Sequence, residues 1–202
     1  MPEGTVHSEL LRRPGKLYVL ASHFHPDHFN KEVLQWREQR PDIIYIFSKD
    51  ILRHRRAQKE DAVWLKKGEE YKDETLSVRA FGSTDVGVSF LLQASGKKIF
   101  HAGDLNNWHW MDESTEAEWK GAEKNFLHEL DDLYAYTPEV DVAMFPVDPR
   151  LGKEYMRGAG QFVTKIKTHI FVPMHFTPEY AKANAFRDFA EAHGVRFVSL
   201  TH

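Results

Sequence analysis

The sequence predicts a layered α/β sandwich, formed as one domain over residues 1–202. Strand and helix patterns alternate at both ends of the chain, while short strands joined by tight turns follow one another in the middle. The near-continuous apolar run at residues 43–47 is typical of a buried parallel strand. A chain of 202 residues with 42% hydrophobic residues can form a sizeable core. Helices covering stacked sheets satisfy these patterns together.

The first third of the chain predicts an alternation of helix and strand. Asn30 is a suitable N-cap for a helix that Pro41 ends, and Ser48 can cap a second, shorter helix. The basic run that follows it, at residues 53–56, is typical of a solvated helix end. The predicted elements are a helix at 6–13, a strand at 17–21, a helix at 30–40, a strand at 43–47 and a helix from 48.

Antiparallel hairpins are predicted in the middle of the chain, and helices alternate with strands again after them. Apolar alternation separated by glycine-containing turns gives the hairpins, and a long amphipathic pattern capped by Ser114 or Asp112 gives a helix. Thr177 followed by Pro178 predicts a cap and a first helical position. The predicted strands are 62–65, 75–81, 86–93, 98–101, 140–145, 170–174 and 195–200, and the predicted helices are 112–136, 160–167 and 177–193.

Composition narrows the classes of function. A formal charge of −3 gives no broad basic field, so we do not expect nucleic acid as a partner. The chain has no cysteine, which excludes a disulfide framework and thiolate metal ligands. No apolar stretch is long enough to cross a bilayer, and the N-terminus lacks the apolar core of a secretory signal. We therefore expect no membrane association and a cytoplasmic location.

A dense group of polar side chains directly follows the first predicted strand. His23, His25, Asp27 and His28 fall within six residues. His23 and His25 are two positions apart, so in an extended segment both side chains leave the same face. Pro26 forces a turn, which presents Asp27 and His28 from a loop. Imidazole and carboxylate groups that converge in this way suit Zn²⁺, Mn²⁺ or Fe²⁺.

This H-x-H-x-D-H pattern resembles the signature of the metallo-β-lactamase fold. The resemblance implies a four-layer αββα sandwich, which here lacks the usual N-terminal strands because only one strand fits ahead of the motif. It also implies two divalent metal ions, zinc first, with manganese or iron as alternatives. His23 and His25 would bind one ion, and Asp27 and His28 the second. Asp104, after Gly103, would bridge both ions, and His175 would complete the second set.

One ligand of the family pattern is missing from this chain. The family has a further histidine in the turn between the middle strands, where this chain has residues 82–87 without one. Asp85 is the natural replacement, Thr84 and His101 are others, and an ordinary turn residue is the alternative for Asp85. An oxygen ligand in place of a nitrogen shifts the first site toward manganese or iron.

Residues outside the ligand set could also face a substrate. Trp108, His109 and Trp110 suit a pocket wall, although a small hydrophobic core explains the tryptophans equally well. Asp148 and Arg150 follow a strand and either face the pocket or form a surface ion pair. The other histidines, at 7, 54, 128, 169, 193 and 202, are interpreted as surface residues.

The resemblance implies a binuclear, metal-dependent hydrolase that acts on a small-molecule ester, lactone or phosphodiester. A metal-bound hydroxide would be the nucleophile, and Asp27 would orient it. Among members of the family, the chain is most similar to compact single-domain lactonases of sugar acids and phospholipase-D-like hydrolases. The alternative is a non-catalytic protein that keeps the fold and binds a metal or a ligand. An uncovered sheet edge would also favour a homo-oligomer.

Overall fold

The structure, a computed structural model, describes residues 8–201. The predicted helix at 6–13 is observed as a single turn, and residues 6 and 7 lie outside the described part, as does His202. The helices are α1 (Ser8–Leu11), α2 (Lys49–Arg53), α3 (Glu116–Tyr136), α4 (Arg157–Lys165), α5 (Tyr180–Asn184) and α6 (Arg187–Ala192), with 3-10 turns at Lys31–Glu38, Lys59–Asp61 and Pro149–Glu154. The strands are β1 (Tyr18–Ala21), β2 (Ile44–Ser48), β3 (Val63–Leu65), β4 (Glu70–Lys72), β5 (Ser77–Phe81), β6 (Ser89–Ala94), β7 (Lys97–His101), β8 (Glu139–Pro146), β9 (Lys167–Met174) and β10 (Arg196–Phe197).

The strands form two sheets. The small sheet has the order β1-β2-β3, and its strands are parallel. The large sheet has the order β10-β9-β8-β7-β6-β5-β4. Its strands β4 to β7 are antiparallel, as predicted for hairpins, and β7 to β10 are parallel. In the described part of the chain, β1 is the one strand ahead of the histidine motif.

Side-chain alternation along β2 shows how the layers are held together. Tyr45 and Phe47 pack toward α1 and α2, whereas Ile46 packs between the two sheets against Val78 and Phe90. On its other face the large sheet buries a third cluster against α3, α4 and α6. Helices therefore cover the outer face of each sheet, and the predicted four-layer αββα sandwich is confirmed.

Several predicted boundaries differ from the structure. The long helix begins at Glu116, because Thr115 and Glu118 form the capping box, and neither Asp112 nor Ser114 is its cap. The segment from Asn30 is a 3-10 helix, although Asn30 caps it as predicted. The helix predicted from 177 is two short helices: the amides of Glu179 and Tyr180 donate to the carbonyls of Phe176 and Pro178, which makes a turn there.

Asp73 connects the two sheets at one end of the molecule. Its carboxylate accepts hydrogen bonds from Lys16 (3.0 Å), Tyr18 (2.8 Å) and Tyr71 (2.9 Å). It also accepts from the amides of Thr75 (2.8 Å) and Leu76 (2.9 Å) in the turn between β4 and β5. Tyr18 begins β1 of the small sheet, so one carboxylate links the start of that strand to the large sheet.

Candidate metal centre

The histidine motif lies at the carboxyl end of β1, where the loop after β5 packs against it. The amide of Val88 donates to the carbonyl of Ser22 at 3.0 Å. Gly87 has φ +75°, and a Cβ there would lie 2.1 Å from that carbonyl oxygen and 2.5 Å from the Cβ of His23. A residue without a side chain is therefore required for the two loops to approach this closely.

The motif residues turn back on themselves and meet residues from the large sheet. The amides of His28 and Phe29 both donate to the carbonyl of His25, at 3.0 and 2.8 Å. Asp104 follows β7 and His175 follows β9, so the carboxyl ends of three strands converge here. Two groups have ligand atoms within 4.8 Å of one another: His23, His25 and Asp104, and Asp27, His28 and His175.

Asp104 joins the two groups. Its Oδ2 lies 3.2 Å from Nε2 of His23, while its Oδ1 lies 3.1 Å from Nε2 of His28 and 2.9 Å from Nε2 of His175. The carboxylate is only 7% exposed, and His23 is fully buried. One oxygen therefore faces each group, which is the arrangement expected of a bridging carboxylate.

The electrostatics of the centre depend on this carboxylate. Burial alone would raise the pKa of Asp104, but hydrogen bonds with His175 and His23 outweigh it and hold that pKa well below its usual range. Burial lowers the pKa of His28 to about 4. Burial also acts to lower the pKa of His175, yet its bonds to Asp104 and Asp148 raise it to about 9. At neutral pH the His28 imidazole is therefore neutral and ready to bind a metal ion. His175, in contrast, carries an additional proton that a metal ion would have to displace.

A cavity of about 380 Å³ opens onto the two groups. Its lining combines ligand candidates with an aromatic wall and one cation: His25, Asp27, Thr84, Asp85, Asp104, Trp108, Trp110, Arg150 and His175. A larger surface groove of about 640 Å³ lies elsewhere, around Asp73 and Lys97, and the described residues that line it include no histidine. The ligand candidates that line a cavity therefore lie in the smaller one and not in this larger groove.

Asp85 lines this cavity, but among residues 8–201 it belongs to neither of the two groups. Its neighbour Thr84 has a structural role: its hydroxyl donates to the carbonyl of Asn106 at 2.5 Å and accepts from the amide of Asn106 at 2.9 Å. His101 accepts a hydrogen bond from the amide of Gly103 at 3.1 Å, and burial lowers the pKa of His101. The position of Asp85 leaves its role as a ligand a prediction.

The donor set fits a pair of divalent metal ions. Nitrogen and carboxylate oxygen are the ligands of zinc, manganese and iron, and three protein ligands for each ion match the number in catalytic zinc sites. The sequence profile of the beta-lactamase superfamily domain matches residues 7–176, well over half of the chain. The chain belongs to this superfamily.

Solved structures share the fold of this superfamily member. Igni18, a metallo hydrolase from Ignicoccus hospitalis, has a TM-score of 0.62 and 18% identity, over 91% of this chain and 76% of that one. YhfI, a metallo-beta-lactamase fold protein from Bacillus subtilis, has a TM-score of 0.60 and 11% identity, over 91% and 75%. A possible metal-dependent hydrolase from Veillonella parvula has a TM-score of 0.62 and 11% identity, over 98% and 78%. At such low identities these likenesses show the fold alone.

A comparison of this superfamily member with curated proteins finds no significant match. Within the described residues, no helix combines the length and the apolar character that crossing a bilayer requires.

Asp148 is a contributor to the centre whose role the sequence left open. It is buried, and its Oδ2 lies 3.2 Å from Nδ1 of His175, so it can orient the imidazole while Nε2 faces Asp104. His175 has φ +65°, an uncommon value for a residue with a side chain. The Asp148–Arg150 pair exists as predicted, but its carboxylate is buried behind the metal centre and is not a surface group.

Other residues near the motif have structural roles. Ser22 lies 3.1 Å from Nδ1 of His23 and 3.3 Å from Nδ1 of His28, so it can orient both rings.

Trp108 and Trp110 line the cavity, as one of the two interpretations predicted. His109 points away from it: the ring is buried and contacts the backbone at Met111 N (3.1 Å) and Glu154 O (3.2 Å). The order of the motifs along the sequence does not predict in which direction these side chains point.

Proposed function

We propose that the chain is a metal-dependent hydrolase that uses two divalent metal ions, zinc first, with manganese or iron as alternatives. The observation that carries the proposal is Asp104, whose two carboxylate oxygens contact histidines of both groups. His23, His25 and Asp104 would hold one ion. Asp27, His28 and His175 would hold the other, with Asp85 as an additional ligand candidate for the first ion. Superfamily membership and the fold of the metal-dependent neighbours support this assignment.

The residues of the chain would have distinct roles. The two metal ions would supply Lewis acidity, which would lower the pKa of a bound water and polarise the oxygen of the scissile group. Asp27, whose side chain is 71% exposed and lines the cavity, would orient the attacking water. Asp148 and Ser22 hold the imidazoles in position. Trp108 and Trp110 offer an apolar wall to the substrate.

The substrate class that fits is a small ester, lactone or phosphodiester. A cavity of about 380 Å³ has the size of a small-molecule site and is open at one side. The resemblance to lactonases of sugar acids and phospholipase-D-like hydrolases points the same way. A cytoplasmic location and a homo-oligomer stay predictions, which cell fractionation and light scattering would test.

Metal analysis combined with hydrolysis assays tests the proposal. The chain is stripped with a chelator and reloaded with zinc, manganese or iron, and metal content is measured by mass spectrometry. We expect two equivalents per chain and hydrolysis of p-nitrophenyl acetate or bis(p-nitrophenyl) phosphate that the chelator abolishes. His175→Asn should lose metal and turnover, whereas His169→Asn, an exposed position on β9, the strand that His175 directly follows, should retain both.

A non-catalytic binding protein is the second candidate, because the first group has two histidines and not the three of the family pattern. One equivalent of metal or none, with no turnover after reloading under any of the three metals, would favour that candidate.

A further inference from the structure

The one cationic side chain that lines the metal cavity is Arg150, among the residues that the structure describes. Its Nε lies 3.0 Å from both oxygens of Asp148, and its Nη2 lies 2.5 Å from Oδ2. The Asp148 side chain is 1% exposed, whereas the Arg150 side chain is 65% exposed. A buried carboxylate therefore fixes a guanidinium whose outer edge faces the cavity.

This anchoring prepares Arg150 to bind an anion. The contacts to Asp148 use Nε and Nη2, and Nη1 makes no contact with Asp148. A guanidinium that is already held loses little side-chain entropy when it binds a ligand, and its planar donors match a phosphoryl or carboxylate group. Asp148 neutralises part of the charge and occupies Nε and Nη2, so Nη1 is the donor that remains for a ligand.

Arg150 also lies beside the reacting centre and not at a remote subsite. Its Nη2 is 3.3 Å from Nδ1 of His175. Nδ1 also lies 3.2 Å from Oδ2 of Asp148, a carboxylate that can only accept a hydrogen bond from it. Nδ1 and Nη2 would then both be donors, so Arg150 is close to His175 without a hydrogen bond to it. Because Arg150 lines the same cavity as the ligand candidates Asp27 and Asp104, we expect an anion on Arg150 to belong to the group that reacts. A phosphodiester carries negative charge on its reacting group before the reaction begins, whereas a neutral ester or lactone does not.

We propose that Arg150 binds a nonbridging phosphoryl oxygen at the reacting centre and that the natural substrate is a phosphodiester. This inference rests on the proposed metal-dependent hydrolysis. In the reaction the oxygen of water forms a bond to phosphorus and the ester P–O bond breaks. The alcohol leaves with one proton of the water, and a phosphomonoester remains.

The other charges around the cavity agree with this orientation of the substrate. Asp27 and Asp104 are ligand candidates, so bound cations would compensate their charge. Asp85, exposed in the loop after β5, remains as an uncompensated acid unless it is a ligand too. The anionic group is therefore accommodated on the Arg150 side. Trp108 and Trp110, with ring centroids 6.4 Å apart and an interplanar angle of 16°, offer a flat surface to an organic ester group.

The test compares Arg150→Gln with Arg157→Gln in the metal-loaded protein. Arg157 is a matched control because it pairs with a carboxylate, Glu123, at 2.7 Å but does not line the metal cavity. Assays use bis(p-nitrophenyl) phosphate and the neutral ester p-nitrophenyl acetate, and calorimetry measures the binding of inorganic phosphate. For Arg150→Gln we expect KM for the phosphodiester to rise by roughly 10- to 100-fold and phosphate binding to weaken by a similar factor.

KM for the neutral ester should change less than twofold in Arg150→Gln, and Arg157→Gln should match the wild type throughout. Arg150→Lys should restore part of the phosphate binding, and metal content should stay at two equivalents in both Arg150 variants. If Arg150→Gln does not fold, Arg150→Lys carries the comparison, with a smaller expected loss, roughly 3- to 10-fold, because charge is kept and the fork geometry is lost.

Wild-type protein that binds two metals and hydrolyses the neutral ester but not the phosphodiester would overturn this inference and leave the proposed function intact. Unchanged phosphate binding in Arg150→Gln would overturn it as well. Protein that binds no metal and turns over neither substrate would overturn both.

Discussion

Asp148 orders two side chains of the metal centre from a buried position, since it contacts both His175 and Arg150. A partner of this kind fixes the tautomer and the ring orientation of a metal-binding histidine. We predict that Asp148→Asn weakens binding of one of the two metal ions by roughly 10- to 100-fold. Titration calorimetry with Zn²⁺ measures this. The control is Asp141→Asn, in strand β8 shortly before Asp148, where the side chain contacts Lys97 and Lys98. Equal loss in both variants would contradict the assignment.

The raised pKa of His175 makes metal affinity depend on pH. A metal ion needs the unprotonated Nε2, and His175 holds a proton below its pKa of about 9. Apparent affinity should therefore rise with pH through neutrality, by up to about tenfold per pH unit, and level off near that pKa. His28, with a pKa of about 4, adds nothing to this slope. Calorimetry in buffers of different ionisation enthalpy should show about one proton released per chain at pH 7.

Asp85 provides a direct test of the substituted ligand position. If its carboxylate completes the first site, Asp85→Ala should weaken that site by roughly tenfold without emptying it, because His23, His25 and Asp104 already supply three ligands. Metal content after dialysis against a competing chelator measures the change. Retention of both ions at wild-type affinity would remove Asp85 from the ligand set.

At the scale of elements, the close approach of two loops depends on Gly87. We predict that Gly87→Ala destabilises the fold more than Gly96→Ala does, although both glycines have nearly the same φ, +75° and +73°. Left-handed backbone costs an alanine about 1–2 kcal/mol in either place. At Gly96 the new methyl group meets open space, whereas at Gly87 it meets Ser22 and His23, which adds about 1–3 kcal/mol.

Urea unfolding of the two glycine variants and the wild type measures the difference, and metal content should fall in Gly87→Ala alone. Equal unfolding free energies for the two variants would show that the loops do not meet as described.

Sequence patterns identify elements well where the apolar period is strong. The segments that form β2, β5 and β8 are predicted within two residues at each end, because apolar residues run nearly continuously or alternate along them. Strand β4 was not predicted, because Tyr71 is the one apolar side chain among its three residues. Its strand conformation comes from pairing with β5. The cap at Thr115 was missed because several neighbouring residues could serve equally well.

The candidate site could be predicted from the sequence only in part. Six of the predicted ligands lie close together. They could be predicted because they occur in the motif and at predicted strand ends, in the same order along the chain as in the family pattern. Side-chain directions in loops decide that Asp148 is buried, that the buried His109 ring points away from the cavity, and that Asp85 belongs to neither group. No periodicity in the sequence encodes those directions.

At the scale of the whole molecule, each metal group draws side chains from both sheets. His23 and His25 follow β1 of the small sheet while Asp104 follows β7 of the large one, and the second group repeats this division with His28 and His175. Bound metal should therefore stabilise the packing of one sheet on the other.

We predict that metal raises the melting temperature substantially. At a free concentration 100-fold above Kd, one ion adds about 2.7 kcal/mol to the unfolding free energy. For a chain of this size that corresponds to a rise of roughly 5–10 °C. Scanning calorimetry with and without chelator measures the shift. A melting temperature that does not respond to metal would mean that the two groups do not bind ions in the folded state.

The network around Asp73 determines how the metal-free chain should open. Hydrogen bonds from Lys16 and Tyr18 to Asp73 keep the beginning of β1 attached to the β4–β5 turn, and they need no metal. Three further bonds to Asp73 come from the β4–β5 hairpin itself. In the metal-free protein we expect the two sheets to separate first at the histidine loop, while they stay in contact near Tyr18. Amides of residues 22–28 and 82–88 should exchange hydrogen early in the stripped protein, while those near Tyr18 and Leu76 remain slow.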